Sequence, residues 1–298
     1  MPGTRYGPYA TSLRMSDLGY QNKVQSQLNV GYNSLDAYNS ALDKAIRTED
    51  PYYKRLGVIK NGEYQQLNAN ILQIENEFYG NIRPKRVSTS GERPSVALKQ
   101  QGIEYIEVRA LDINPFSPIG IDSSQIAFLD SFLLCSLFAK SDPISAREKG
   151  ENIANFDRVV LQGRHPEVSL TCQNTCESLV DVARNILSKI TPFAEMLDQA
   201  YAIDDHCAVL KQLDGQLSDL DTTFSGRIVK QIEANQEGFF PFAYQLSEKH
   251  KKEFLANPLT DERLAYYQKV AKESHLKKQQ MEDDDTISFE EFLASYYQ

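Results

Sequence analysis

The sequence changes its period once, near residue 120, and that change limits the fold more than any single motif does. Up to that point the chain is rich in Tyr, Ile, Val and Asn, in short alternating runs broken by turn residues; beyond it, apolar residues recur at helical spacing. The expected class is α+β. Residues 1–120 would form part of an antiparallel β-sheet region, and residues 121–298 a helical region packed on it.

Within the first part, Ser34–Ile46 places Leu35, Tyr38, Leu42, Ala45 and Ile46 on one face and predicts an amphipathic helix. Asn61-Gly62, between Leu56–Ile59 and Tyr64–Leu67, supplies the two positive φ angles of a type I′ turn and predicts a hairpin. Asn70–Ile82 alternates Leu72, Ile74, Asn76 and Phe78 against Gln73, Glu75, Glu77 and Tyr79, which predicts a strand with one polar face. Arg93–Gln101 reads as a short helix that Gly102 stops. Ile103–Ala110 is a second alternating strand, with Ile103, Tyr105, Glu107 and Arg109 on one side and Glu104, Ile106, Val108 and Ala110 on the other. Pro115 and Pro118 then force an irregular connection.

The second part opens with Asp122 and Gln125 at capping-box spacing. The helix that follows, Ser123–Lys140, is apolar nearly all round and is expected at the centre of the core. Further helices are expected at Glu177–Lys189, Phe193–Leu213, Thr223–Glu233, Phe242–Leu255, Asp261–Gln279 and Ser288–Tyr297.

Charge narrows the partners. The net charge is −9, divided as +2 over residues 1–120 and −11 over residues 121–298, so neither a nucleic acid nor an anionic membrane is an expected partner. The most apolar run, Ile126–Ala139, is too short to span a bilayer. No apolar segment of a secretory leader stands at the N-terminus, and Cys135, Cys172, Cys176 and Cys207 do not make a disulfide framework, so the expected compartment is the cytoplasm.

Glu107 and Arg109 are the first candidate pair for chemistry. On one strand face their bases would stand about 7 Å apart, following a rise of about 3.3 Å per residue. A carboxylate is the hard oxygen ligand that Mg²⁺ prefers, and a guanidinium forks onto phosphate or carboxylate oxygens. Spacing alone leaves two readings: a grip on a metal-bound nucleotide phosphate, or a solvated ion pair on an exposed sheet face. Gln73, Glu75, Glu77 and Tyr79 form a second polar face, and Arg83, Lys85 and Arg86 a basic run that could meet phosphates or stay solvated. Near the N-terminus, Ser12, Arg14, Ser16 and Asp17 lie where there is little apolar surface to bury, and Arg14 could serve an anionic ligand or be an ordinary surface arginine. Cys172 and Cys176 lack a second ligand pair at zinc spacing, and His206-Cys207 has no nucleophile signature around it. Asp283–Glu291 fails as a calcium loop, because Asp285 stands where the sharp turn needs glycine; it reads as a helix N-terminus with favourable acids. No P-loop and no Gly-x-Gly-x-x-Gly is present, so a bound nucleotide would have to be held by metals and side chains on a sheet.

Three stretches carry a resemblance. Tyr9–Tyr20 reads YATSLRMSDLGY, Leu67–Arg86 reads LNANILQIENEFYGNIRPKR, and Gly102–Asp122 reads GIEYIEVRALDINPFSPIGID. Together they resemble the glutamate–cysteine ligases of the proteobacterial type, with weaker similarity through Arg158–Leu170 and Thr223–Ile232. The resemblance implies a catalytic sheet like that of glutamine synthetase, curved into a funnel and incomplete here. It implies Mg²⁺ (or Mn²⁺) as cofactor and ATP, L-glutamate and L-cysteine as ligands. Glu107 then matches a metal-binding glutamate, Arg109 and Arg14 match catalytic arginines of the phosphate and glutamate region, and Tyr20 and Tyr79 match tyrosines of the cysteine pocket. A complete member of the family has roughly two-fifths more enzyme ahead of Tyr9, with further metal-binding carboxylates. The chain alone is therefore expected to be inactive or nearly so: a fragment, or one half of an enzyme completed by a separate N-terminal piece. The alternative is a non-catalytic binding or regulatory chain that keeps the ligase sheet. Gln162 replaces an acidic residue usual before Gly-Arg, and His165-Pro166-Glu167 is unusual; both are expected away from the chemistry.

Overall fold

The computed structural model describes residues 6–19, 22, 24–25, 28–89 and 91–297. In chain order the elements are α1 (Leu35–Ala45), α2 (Pro51–Leu56), β1 (Ile59–Lys60), β2 (Glu63–Tyr64), β3 (Ile82–Lys85), α3 (Pro94–Gln101) and β4 (Tyr105–Val108). There follow α4 (Ser123–Phe138), α5 (Ala146–Gln162), β5 (Ser169–Cys172), β6 (Thr175–Ser178), α6 (Leu179–Tyr201) and α7 (Asp205–Ser218). Last come α8 (Phe224–Asn235), α9 (Phe239–Ala256), α10 (Asp261–Asp283) and α11 (Phe289–Tyr296). The class is α+β, mostly helical, with three two-stranded antiparallel ribbons, β1–β2, β3–β4 and β5–β6, among the described residues. Two compact units result: Met1–Gln21 with Ala110–His250, and Asn22–Arg109 with Lys251–Gln298. The units interleave along the chain, whereas the texture of the sequence changes once, near residue 120.

In the unit containing residues 22–109, local chemistry sets most element ends. The Ser34 side chain accepts the Ala37 N–H to start α1, and Asp50 caps α2 ahead of Pro51. Asn61 and Gly62 take φ values of 56° and 84° between β1 and β2, as the type I′ turn requires. Gly102 ends α3 at φ 76°. One face of α1 (Tyr38, Leu42, Ala45) joins Ile46, Val30, Leu72, Phe78 and Leu98 in the core of this unit.

The strand expected over Asn70–Ile82 does not form; the stretch is irregular, with one 3-10 turn at Glu75–Glu77. Its alternation is satisfied another way. Leu72 and Phe78 enter the core, while side chains bond backbone groups that a ladder would need. Gln73 Oε1 accepts the Leu67 N–H at 2.7 Å, and Glu77 Oε2 accepts the Gln73 N–H at 2.8 Å. The strand proper begins only at Ile82.

In the unit containing residues 110–250, α4, α6 and α7 pack on one another around Ile190, Ala194 and Leu210. The Asp122–Gln125 capping box forms as expected. α4, expected at the centre of the core, does pack on α6 and α7, but with only part of its apolar surface. Only Ala127 and Ser131 are buried, and Ile126 and Leu137 are 45% and 76% exposed, because α6 and α7 cover a single side of the helix. The helix break expected ahead of Phe193 is also absent: α6 runs through Pro192. No described helix is long and apolar enough to cross a membrane.

Candidate functional site

The register of the β3–β4 ribbon arranges the candidate site. Arg83 faces Glu107 and Lys85 faces Tyr105, so these side chains share a side of the ribbon, opposite that of Ile82, Pro84, Ile106 and Val108. Arg109, two residues beyond Glu107, lies on the Glu107 side, and its N–H donates to the Asn81 carbonyl at 2.7 Å. The Arg109 Nε–H donates to Glu107 Oε1 at 3.0 Å, with side chains 24% and 36% exposed. The two candidates found from spacing therefore do meet, as an ion pair with reach to solvent.

Arg83 gives this face its floor. It is 3% exposed; its Nη1–H donates to the Asn76 carbonyl at 3.2 Å, and its Nε has no partner among the described residues. Burial pushes the Tyr38 phenol up, and Arg83, which hydrogen-bonds it, pulls it back down. The neighbouring Tyr32 is pushed up to about 12 by burial and by Tyr38, and its hydroxyl donates to the Ile82 carbonyl at 2.8 Å. Burial thus keeps both phenols neutral, and the buried Arg83 guanidinium stands opposite Glu107 across the ribbon. The sequence offered Arg83 only as one of a basic run, and its partners separate that run. Arg86 instead bonds Gln101 and pairs with Glu104.

The second polar face is dispersed. Glu75 is fully buried, its Oε2 accepting the Ser95 N–H at 2.7 Å and its Oε1 the Ser95 hydroxyl at 2.6 Å, with Arg93 at 3.6 Å. It caps the first turn of α3 and faces no ligand. Tyr79 remains exposed, and its N–H donates to Gln25 Oε1 at 2.9 Å. Tyr20 lies outside the described residues.

Arg14 belongs to the other unit, in a stretch outside helix and strand. The Asp112 carboxylate accepts the N–H groups of Leu13 and Arg14 and the hydroxyl of Ser12. Asp112 was not singled out in the sequence, where nothing marks an acid a hundred residues away as the acceptor for this turn.

Among the described residues no group of three or more His, Cys, Asp or Glu side chains could hold a metal ion. Glu107 supplies one carboxylate, already shared with Arg109, and Mg²⁺ demands several oxygen ligands in octahedral array. These residues by themselves therefore do not fit a magnesium site. The stretch rejected as a calcium loop is a helix start only at its end: Ser288 and Glu291 form the capping box of α11, and the Ser288 N–H holds the Glu291 carboxyl below its ordinary range, whereas Asp283 ends α10 and Asp284 is its C-cap.

Fold and site together define an α+β protein that presents an acid–arginine pair on one strand of a short antiparallel ribbon. The sequence profile described as glutamate-cysteine ligase matches residues 1–159, and the chain belongs to that family. It is 43% identical over 295 residues to the glutamate–cysteine ligase of Shewanella halifaxensis, covering 99% of this chain and 56% of the relative. The glutamate–cysteine ligase of Alcanivorax borkumensis is 41% identical over 297 residues, covering 98% and 57%. Among solved structures, the glutamate–cysteine ligase of Francisella tularensis in complex with AMP superposes with a TM-score of 0.88 at 31% identity, over 97% of this chain and 57% of that one. A bifunctional glutathione synthetase from Pasteurella multocida shares the fold at TM-score 0.56 and 24% identity, over 81% of this chain and 26% of that one. The chain thus spans little more than half the length of the curated relatives it matches.

Proposed function

We propose that this chain carries one share of a cytoplasmic, ATP-dependent ligase that joins the γ-carboxylate of L-glutamate to the amine of L-cysteine, the first step of glutathione synthesis. The observation that carries this reading is the Glu107–Arg109 pair on one face of β4 with Arg83 opposite, in a chain of this family. Family membership and the AMP held by the Francisella relative support nucleotide use.

In this reading a γ-carboxylate oxygen of glutamate attacks the γ-phosphorus of ATP, ADP leaves, and γ-glutamyl phosphate forms. The cysteine amine then attacks the acyl carbon, phosphate leaves, and the nitrogen gives up a proton. Arg109 and Arg14 place guanidinium donors against phosphate and carboxylate oxygens, where charge builds in both steps. Tyr79 lines the cysteine side, a role the family resemblance also gives Tyr20, which lies outside the described residues. Glu107 offers one ligand to Mg²⁺ or Mn²⁺, an ion that would neutralise the transferring phosphoryl group when bound; the remaining oxygen ligands would come from the part of the family's chain that this sequence does not span.

The glutamine-synthetase-like funnel belongs to the same proposal, and the edge of β4 supports it. Since Arg109 bonds across to Asn81, Glu107 and Tyr105 also point their backbone groups at β3, leaving those of Ile106 and Val108 aimed outward. On the far edge of the ribbon Pro84 has no N–H to offer. The ribbon can therefore grow past β4, beside Glu107.

A second reading, a binding or regulatory chain without turnover, draws on the closed Glu107–Arg109 ion pair and the absence of a metal cluster among the described residues. A coupled assay of ADP release, requiring both amino acids, separates the two. It is run with and without a supplied polypeptide covering the unmatched part of the Shewanella relative. Dependence on both amino acids in the reconstituted mixture supports the ligase; none even there leaves the second reading. In the active mixture Glu107→Gln should lower turnover about 10²-fold or more, and a near-normal rate would remove Glu107 from the site.

A further inference from the structure

Arg14 lies in neither helix nor strand, and such a stretch fixes a side chain only if its backbone donors are tied down. Asp112 does the tying. Its Oδ1 accepts the Leu13 N–H at 3.1 Å and the Arg14 N–H at 2.8 Å, and its Oδ2 accepts the Ser12 hydroxyl. The Ser12 oxygen in turn accepts the Met15 N–H at 3.0 Å. One carboxylate therefore gathers donors from three consecutive residues, the last of them Arg14 itself. Bonds to an ionised acceptor are roughly twice as strong as neutral ones.

The opposite side of the turn is closed independently. The Ser16 hydroxyl donates to the Leu13 carbonyl at 2.8 Å. A Cβ built on Gly19 would lie 2.1 Å from the Arg14 carbonyl oxygen and 2.4 Å from that of Leu13, so the chain there passes too close for any side chain. Met15 and Ser16 are buried between these contacts. The turn is a built object, and Asp112 is its anchor. In sequence Asp112 follows Arg109 by three residues, on the stretch that leaves β4.

From this geometry we propose that Asp112 is a positioning residue that sets the Arg14 guanidinium for an anionic ligand, acting through the backbone of the turn. That the ligand is a substrate of the ligase rests on the function proposed above. Both Asp112 oxygens are taken up by the turn, so the carboxylate acts on Arg14 and not on the ligand.

The test uses Asp112→Ala, Asp112→Asn, and Asp112→Ala combined with Arg14→Ala, all in the full chain. Amide exchange at Leu13 and Arg14 should speed up about tenfold or more in Asp112→Ala. In Asp112→Asn, whose side-chain oxygen still accepts both N–H groups, it should stay within about threefold of the parent. In the reconstituted mixture, Asp112→Ala should lower kcat/KM for L-glutamate about tenfold or more, Asp112→Asn should restore most of it, and Asp112→Ala should cost nothing further once Arg14 is alanine. Unchanged exchange in Asp112→Ala would overturn the proposal, and so would an undiminished effect in the Arg14→Ala background, since the residue would then be holding the fold at large. Faster exchange in Asp112→Ala, together with no turnover in the parent mixture, would sink the ligase reading and leave the anchor standing.

Discussion

Glu75 offers the sharpest energetic test, because the sequence places it on the polar face of a strand and the fold buries it completely. Its two oxygens receive the N–H and hydroxyl of Ser95 in the first turn of α3, at 2.7 and 2.6 Å, and Arg93 stands 3.6 Å away. Glu75→Ala deletes both acceptors at a site closed to bulk solvent. Hydrogen bonds to a charged group contribute about 1.5–3 kcal/mol each, and an anion at a helix N-terminus adds about 0.5–1 kcal/mol. Some of this is recovered, since Arg93 keeps Asp43 at 3.0 Å and the Ser95 hydroxyl can rotate. The expected loss is about 3–5 kcal/mol, in the range for breaking a buried ionic contact by removing one partner. Glu75→Gln, which keeps one acceptor but not the charge, should lose about 1–2.5 kcal/mol. Urea unfolding followed by far-UV circular dichroism measures both, and amide exchange at Ser95 and Val96 localises the loss. A drop below about 1 kcal/mol for Glu75→Ala would refute the reasoning, and so would a glutamine variant less stable than the alanine one.

Two further expectations concern other parts of the chain. Burial pushes the Asp198 carboxyl up, but the N–H groups of Cys207 and His206 and the His206 ring, with Nδ1 at 2.7 Å, outweigh it and hold the group well below the carboxylate range. A depressed folded value contributes stability that is complete above the unfolded value of about 3.9 and is lost as pH falls through the folded one. Urea midpoints at neutral and acid pH should therefore fall more steeply for the parent than for Asp198→Asn, and parallel profiles would discard the idea. On β4, when the unmatched part of a relative is supplied, the outward amides of Ile106 and Val108 should exchange as slowly as those of Tyr105 and Glu107; continued fast exchange would mean that the ribbon does not grow on that side.

What the sequence made legible was local. The Asn61-Gly62 turn, the Gly102 stop and the Asp122–Gln125 box each depend on residues within a few positions, and each formed. The shared face of Glu107 and Arg109 follows from strand alternation alone. What stayed hidden needed distant partners. Alternation over Asn70–Ile82 looks the same whether the polar side chains meet solvent or bond nearby backbone, and Glu75 is explained only by Ser95, twenty residues on. The β5–β6 ribbon turns through Gln173 and Asn174 at φ 52° and 67°, without the glycine that would have announced it. Asp112 could be found only once Ser12, Leu13 and Arg14 were placed against it.

The uncovered side of α4 shapes how the chain behaves in a test tube. Ile126 and Leu137 present wet hydrocarbon on a polypeptide whose net charge of −9 pushes copies apart. Added sodium chloride weakens that repulsion and leaves the greasy attraction intact, so turbidity of the isolated chain should rise with ionic strength. A buffer chosen to calm electrostatic stickiness would make this protein less tractable, not more.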